Sequence, residues 1–230
     1  MNRSISEHST SLPFDVEDWG LIAYHQAWQR QRTYLQQVQQ RQRRSTLVLC
    51  EHPTVITLGR LSKQEHIRIP EAFAQAKNIP IVPIERGGDV TLHNPGQLVG
   101  YPIFHLSDFK EDLHWFLRAI EESIIRLLAT FGIVAGRVPG LTGVWIEEQR
   151  KICAIGIHAS RWVTMHGFAL NVSNDLSEFQ YIIPCGIADR GVTSIEQELG
   201  RAVSMTEVKR RCVTAFAEVF APVARRADMA

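Results

Sequence analysis

The sequence predicts an α+β fold, a mixed and mainly antiparallel sheet with helices packed against it. Two observations carry this expectation. Short β-branched runs follow one another in hairpin-like succession, and two or three segments with helical apolar spacing interrupt them. A sheet of that kind buries its apolar face by packing helices on it.

The elements follow in chain order. Residues 1–15 hold serine, threonine and charge without periodicity and read as a disordered or loosely attached tail, leaving 16–230 as one domain. "GLIAYHQAW" leads into "QRQRTYLQQVQQRQRR", whose glutamines and arginines favour a helix. Its few apolar points, Trp28, Leu35 and Val38, leave a wide solvated face, and its basic end reads as a solvated surface or as a contact for an acidic partner. "TLVLCEH", "TVITLG", "IPIVPIE" and "QLVGYPIFHL" read as four strands placed around a glycine-rich loop. From Glu111 to Phe131, Leu113, Phe116, Leu117, Ile120, Ile124, Leu127 and Leu128 recur at helical spacing, and Gly132 is the stop. "GVWIEEQRKICAIGIHASRWVTMHGFALNVS" reads as a meander with polar turns at Glu147–Arg150 and Ser160–Arg161. The last helix opens on Ser204 and Glu207 in capping-box spacing and carries Val208, Cys212, Phe216, Val219 and Phe220 on one face.

Composition excludes more than it assigns. The 230 residues carry a net charge of +1 with 21% charged residues, so nothing global points to nucleic acid or to a membrane surface. The first residues lack the apolar core of a secretory signal, and no apolar run approaches the roughly 20 residues that span a bilayer. A soluble, cytoplasmic protein is expected. Cysteines at 50, 153, 185 and 212 form no CxxC pair and no cluster with histidines, which argues against a zinc site or a disulfide framework and for reduced thiols.

Three stretches could carry chemistry. In "FQYIIPCGIADRGVTSI", residues 179–195, Cys185 stands between Pro184 and Gly186, a setting that makes a turn and displays a thiol. Cys50 and Cys153 lie in strand-like runs and Cys212 in a helix stripe, although a buried structural thiol is also a fair reading of Cys185. Lys151 heads the apolar "ICAIGI". An amine beside apolar surface can lose its proton and then take one from a thiol, whereas a turn lysine in water after "EEQR" would do nothing. The third stretch is "RGGDVTLHNPGQLVGYPI", residues 86–103, where Gly87 and Gly88 admit a closely approaching ligand and His93 and Asn94 add polar groups. His93 taken alone fits a hydrogen-bonded structural role as readily as a catalytic one. The stretch contains neither GxxxxGK[ST] nor GxGxxG, so a nucleotide is not indicated.

In chain order, "RGGDVTLHNPGQLVGYPI", "GVWIEEQRKICAIGI", "RWVTMHGFALNV" and "FQYIIPCGIADRGVTSI" together resemble the octanoyltransferases of lipoate synthesis, the lipoate-protein ligase B family. The resemblance spans residues 20 to about 200. It implies the catalytic fold shared by biotin and lipoate protein ligases, Cys185 as the acyl-accepting nucleophile and Lys151 as the group that serves it. It further implies an acyl site lined by Arg86, Gly87, Gly88, Asp89, Val90, Thr91, Leu92 and His93, by Ala154, Ile155 and Gly156, and by Gly167, Phe168 and Ala169. Leu92 and Asn94 depart from the pattern, which has an aromatic residue and a glycine there; loop shape and chain-length preference are what such changes would alter. The implied reaction passes the octanoyl group from octanoyl-acyl carrier protein through a cysteine thioester to a lysine of a lipoyl domain. Those domains belong to 2-oxoacid dehydrogenases or to the glycine-cleavage H protein, and no cofactor is implied. An ATP-dependent lipoate or biotin ligase is the nearest rival, and a noncatalytic domain that docks lipoyl domains or the carrier protein is the second.

Overall fold

The computed structural model describes residues 12–183 and 190–224. Its main sheet contains β1 (Asp15–Leu21), β2 (Thr46–Glu51), β6 (Gln97–Ile103), β7 (Gly136–Val138), β8 (Leu141–Ile146), β9 (Arg150–Ser160), β10 (Val163–Asn171) and β11 (Gly191–Val192). The order is β1-β2-β6-β10-β9-β8-β7, with β11 added beside β9. The β1/β2 and β11/β9 pairs are parallel and the other pairs of this sheet antiparallel, so the sheet is mixed and mainly antiparallel, as the sequence predicts. A second sheet has the order β4-β3-β5, built from β3 (Val55–Leu58), β4 (Ile81–Pro83) and β5 (Val90–His93).

Both faces of the main sheet are covered, which is why "TLVLC" is apolar without alternation. Leu47 and Leu49 join a core with Phe116, Ile120, Ile124 and Leu127 of α3 (Leu113–Ala129) and Val208, Cys212, Phe216 and Phe220 of α5 (Met205–Phe220). Val48 and Cys50 lie in a second core with Val99, Tyr101, Ala169 and, from α1 (Tyr24–Gln39), Ala27 and Val38. The second sheet has its own core around Ile56, Val90 and Leu92. Among the described residues, no helix is long and apolar enough to cross a membrane.

Several expectations need correction. Residues 14 and 15 are not loosely attached: Phe14 is buried against Phe104 and Phe220, and Asp15 already begins β1. That strand is the polar edge "DVEDWGL", whose Glu17 accepts hydrogen bonds from Trp19, Tyr34 and Arg43, and no apolar run announces it. The first helix begins and ends some five residues earlier than its Gln/Arg run suggests. Arg41, Arg43 and Arg44 lie beyond it, paired with Asp108, Glu17 and Asp15 within the chain. Part of the glycine-rich loop is strand β5. Ser204 does cap α5 by position, but its side chain makes no cap hydrogen bond, and Glu207 pairs with Arg211 instead of closing a capping box. Two short helices, α2 (Glu71–Ala76) and α4 (Ile195–Leu199), are too brief to show periodicity in the sequence.

Candidate active site

A cleft of about 470 Å³, counting its open mouth, lies between the two sheets, and its floor is the β9/β10 ribbon. Ala154 pairs directly with Ala169, and Gly156 with Gly167, so four small residues face one another where larger side chains would fill the groove. The roof is the segment from Arg86 to His93. Gly87 N–H donates to Ile157 O at 2.9 Å and clamps roof to floor at one end. Gly156 permits that approach, since a Cβ there would stand 2.8 Å from Gly87 O and 3.2 Å from Arg86 Cδ. Gly88 turns the roof with φ +81.

The strand period sorts the roof residues. Thr91 and His93 line the cleft, while Val90 and Leu92 are fully buried in the second sheet's own core. Neither therefore lines this cleft, and Leu92 has a packing reason for being aliphatic. Arg86 and Asp89 line the cleft, but their polar groups are engaged inside the protein. Arg86 Nη2 donates to Thr57 O and Oγ1 at 2.8 and 3.0 Å, and Asp89 Oδ1 accepts from Val90 N–H at 2.7 Å. Asp89 Oδ2 lies 2.5 Å from His66 Nδ1. Asn94 is likewise structural: its Nδ2 donates to Asp175 O and Glu178 Oε2, and its Oδ1 accepts from Asn174.

Lys151 is no turn lysine in water. It sits inside β9, 6% exposed, with Nζ 4.6 Å from the centre of the Trp145 ring, where the indole face attracts a cation. The register sets β8's Trp145 and β11's Val192 on either side of it. Lys151 lines a smaller cavity of about 270 Å³, and Thr91, Ala154 and Ala169 form walls common to this cavity and the cleft. The two spaces are therefore neighbours across shared walls, with Lys151 lining the smaller one. Cys185 lies outside the described residues; the chain is described up to Ile183 and again from Arg190, just before β11.

Four residues the sequence did not single out also line the cleft: Tyr24, Val99, Tyr101 and His166. Their polar members are held neutral. Burial pushes His93 down to about 3, with His52 beside it adding to the effect, and pushes His52 down to about 4. Burial also lowers His166 and raises Tyr24 and Tyr101. His52 Nδ1–H donates to Ile22 O at 2.7 Å, which leaves Nε2 to accept from Tyr101 O–H at 2.7 Å. A wall of uncharged rings suits an aliphatic chain, because these groups carry no charge to be stripped of water when the chain enters. His166 carries φ +59 within β10, an outlier for a non-glycine residue, and the N–H exposed by this kink is taken by Gln31 Oε1 at 2.8 Å.

The family model of the lipoyl protein ligase A/B catalytic domain matches residues 23–217. This chain belongs to that family. An octanoyltransferase of Cytophaga hutchinsonii is 54% identical over 212 residues, covering 84% of this chain and 87% of that protein. One of Chloroflexus aggregans is 49% identical over 203 residues, covering 87% and 92%. Among solved structures, the bipartite lipoate protein ligase of Thermoplasma acidophilum, studied with its E2 lipoyl domain, aligns with a TM-score of 0.70 over 90% of this chain and 83% of that one. At 16% identity that likeness concerns the fold alone. Lipoyl ligase folds of this kind thus place an apolar groove and a buried lysine together on one β-ribbon in this chain.

The clamp at Gly156 gives a test of the groove. Gly156→Val is expected to lift the roof, break the Gly87–Ile157 hydrogen bond and narrow the groove. Overpacking of this sort costs about 1–3 kcal/mol, or roughly 2–12 °C in melting temperature for a chain of this size. Octanoyl transfer should fall well beyond that loss, through a raised KM for the acyl donor. Unchanged kinetics at a lowered melting temperature would show that the groove does not hold the acyl chain.

Proposed function

We propose that this chain is the acyltransferase of lipoate biosynthesis that moves an octanoyl group from octanoyl-acyl carrier protein to a lysine of lipoyl domains, with residues 16–230 acting as one catalytic domain. The observation that carries the reading is a groove floored by Ala154, Gly156, Gly167 and Ala169 that shares walls with the cavity of Lys151, in a chain 54% identical to an octanoyltransferase. In the first step Lys151 takes the thiol proton of Cys185, the thiolate attacks the thioester carbonyl, and phosphopantetheine leaves as a thiol. In the second, the ε-amine of the acceptor lysine attacks the acyl-enzyme, its surplus proton passes to Lys151, and Cys185 is expelled as the amide forms. The acceptors are lipoyl domains of 2-oxoacid dehydrogenases and the glycine-cleavage H protein.

The test needs purified protein, octanoyl-acyl carrier protein and a lipoyl domain, without ATP. A lipoyl domain heavier by one octanoyl group, read by mass spectrometry, is the expected product. Octanoylation or lipoylation that appears only when free acid and ATP are supplied would make the chain a ligase, and no modified domain under either condition would leave it without the proposed activity.

A further inference from the structure

The partner of β9 changes just where Lys151 stands. β10 pairs with β9 as far as Leu170 opposite Cys153, and Asn171 then pairs only with Gln97 of β6. Beyond that point β11 takes the vacated side of β9, with Val192 in register with Lys151 and Thr193 N–H donating to Lys151 O at 3.0 Å. Gly191 N–H donates to Gln149 O at 3.0 Å, and the Thr193 hydroxyl donates to Glu198 Oε1 at 2.5 Å, but neither of these bonds ties β11 to β10. The side chain of Asn171 spans the gap. Its Nδ2 donates to Thr193 O at 2.9 Å, and its Oδ1 accepts from Gln97 Nε2 at 2.9 Å and Asn174 Nδ2 at 3.2 Å. The orientation is fixed chemically, because the carbonyl of Thr193 can only accept. The carboxamide stands in for the peptide group that β10 no longer offers.

The same chain of bonds continues to the roof. Gln97 Nε2 also donates to Leu92 O at 3.2 Å, so its Oε1 is the group that faces His93 Nδ1 at 2.8 Å. Asn171 is 4% exposed, Gln97 is 1% exposed, and both line the Lys151 cavity. Hydrogen bonds therefore run without interruption from His93 through Gln97, Asn171 and Thr193 to the backbone of Lys151.

We propose that Asn171 is a positioning residue for the reaction, the strap that holds β11 and the backbone of Lys151 in the register that transfer requires. This rests on the reading of Lys151 as catalytic. The role assigned to Asn171 runs through Thr193, whose carbonyl it holds, rather than through a contact with the acyl chain. Misplacement of a reacting group by an ångström costs on the order of 100-fold in rate, so Asn171→Ala should lower kcat roughly 10- to 100-fold while KM for the octanoyl donor stays within about twofold. Asn171→Asp is nearly isosteric and keeps the acceptor for Gln97 and Asn174 but cannot donate to Thr193 O. It should fail like the alanine variant, and it serves where the alanine variant does not fold.

Amide hydrogen exchange on the intact variants gives a readout independent of activity. The Thr193 amide should exchange faster in both variants, with the amides of α3 unchanged. Normal Thr193 exchange, kcat within twofold of wild type, or a loss carried wholly by KM would each overturn the proposal, as would near wild-type behaviour of Asn171→Asp, the mark of a packing role alone. Lys151→Ala in the same assay separates the two levels. Full activity there would remove the catalytic reading, while the exchange rate at Thr193 still decides whether the strap exists.

Discussion

Cys185→Ala protein mixed with octanoyl-acyl carrier protein is expected to gain no acyl adduct, whereas the wild-type chain gains one octanoyl group that hydroxylamine removes. Removing the nucleophile of a covalent mechanism costs on the order of 10⁴–10⁶ in turnover, so overall transfer should vanish as well. The other three thiols give this experiment its force. Cys50, Cys153 and Cys212 are fully enclosed in the two cores of the main sheet, and burial raises the pKa of each. A thiol reacts as its thiolate, so these three are both shielded and held in the wrong protonation state. None can substitute for Cys185 without opening a core. An adduct that survives in Cys185→Ala, or that maps to any of the three, would remove the assigned nucleophile and with it the two-step mechanism.

How far the fold was legible follows from how each element is stabilised. The meander over β8, β9 and β10 declared itself because polar turns at 147–149 and 161–162 punctuate apolar runs, and α3 because its apolar residues keep a 3.6-residue period over four turns. β1 and β5 did not. The first is an edge held by Glu17 and its donors, and the second sits inside a glycine-rich stretch whose strand character depends on pairing with β3, a contact about 35 residues away in the chain. The candidate site divides the same way. Small residues at 154, 156, 167 and 169 and the roof glycines stand together in quotable blocks, and the structure brings those blocks to one cleft. Tyr24, Tyr101 and His166 come from three separate elements, α1, β6 and β10, and nothing local to any of them marks a shared wall. Asn171 was hidden for another reason. It ends a strand block that was read for its apolar residues, while its partners are a backbone carbonyl 22 residues on and an amide 74 residues back.

Lys151→Arg is expected to be nearly inactive although it preserves the positive charge. The two roles open to a buried lysine that serves a thiol nucleophile are proton acceptor and fixed cation, and this substitution separates them. A guanidinium is effectively never deprotonated in a protein, so an arginine can hold a charge at this place but cannot accept a proton from Cys185 or from the incoming amine. General-base catalysis is worth about 10²–10⁴ in rate, and that is the loss expected in single-turnover acylation. The surroundings add a steric constraint of their own. Lys151 is 6% exposed and packs its Nζ over Trp145, whose ring also carries the Arg190 guanidinium at 5.3 Å, so a bulkier head group has little room. Lys151→Met removes that ambiguity, since it keeps an unbranched chain of similar reach without charge or basicity. Both variants should fold, as judged by melting temperature, and both should fail to acylate. Arginine active and methionine inactive would make Lys151 a fixed cation; both active would remove it from the mechanism and leave Cys185 to find its base elsewhere.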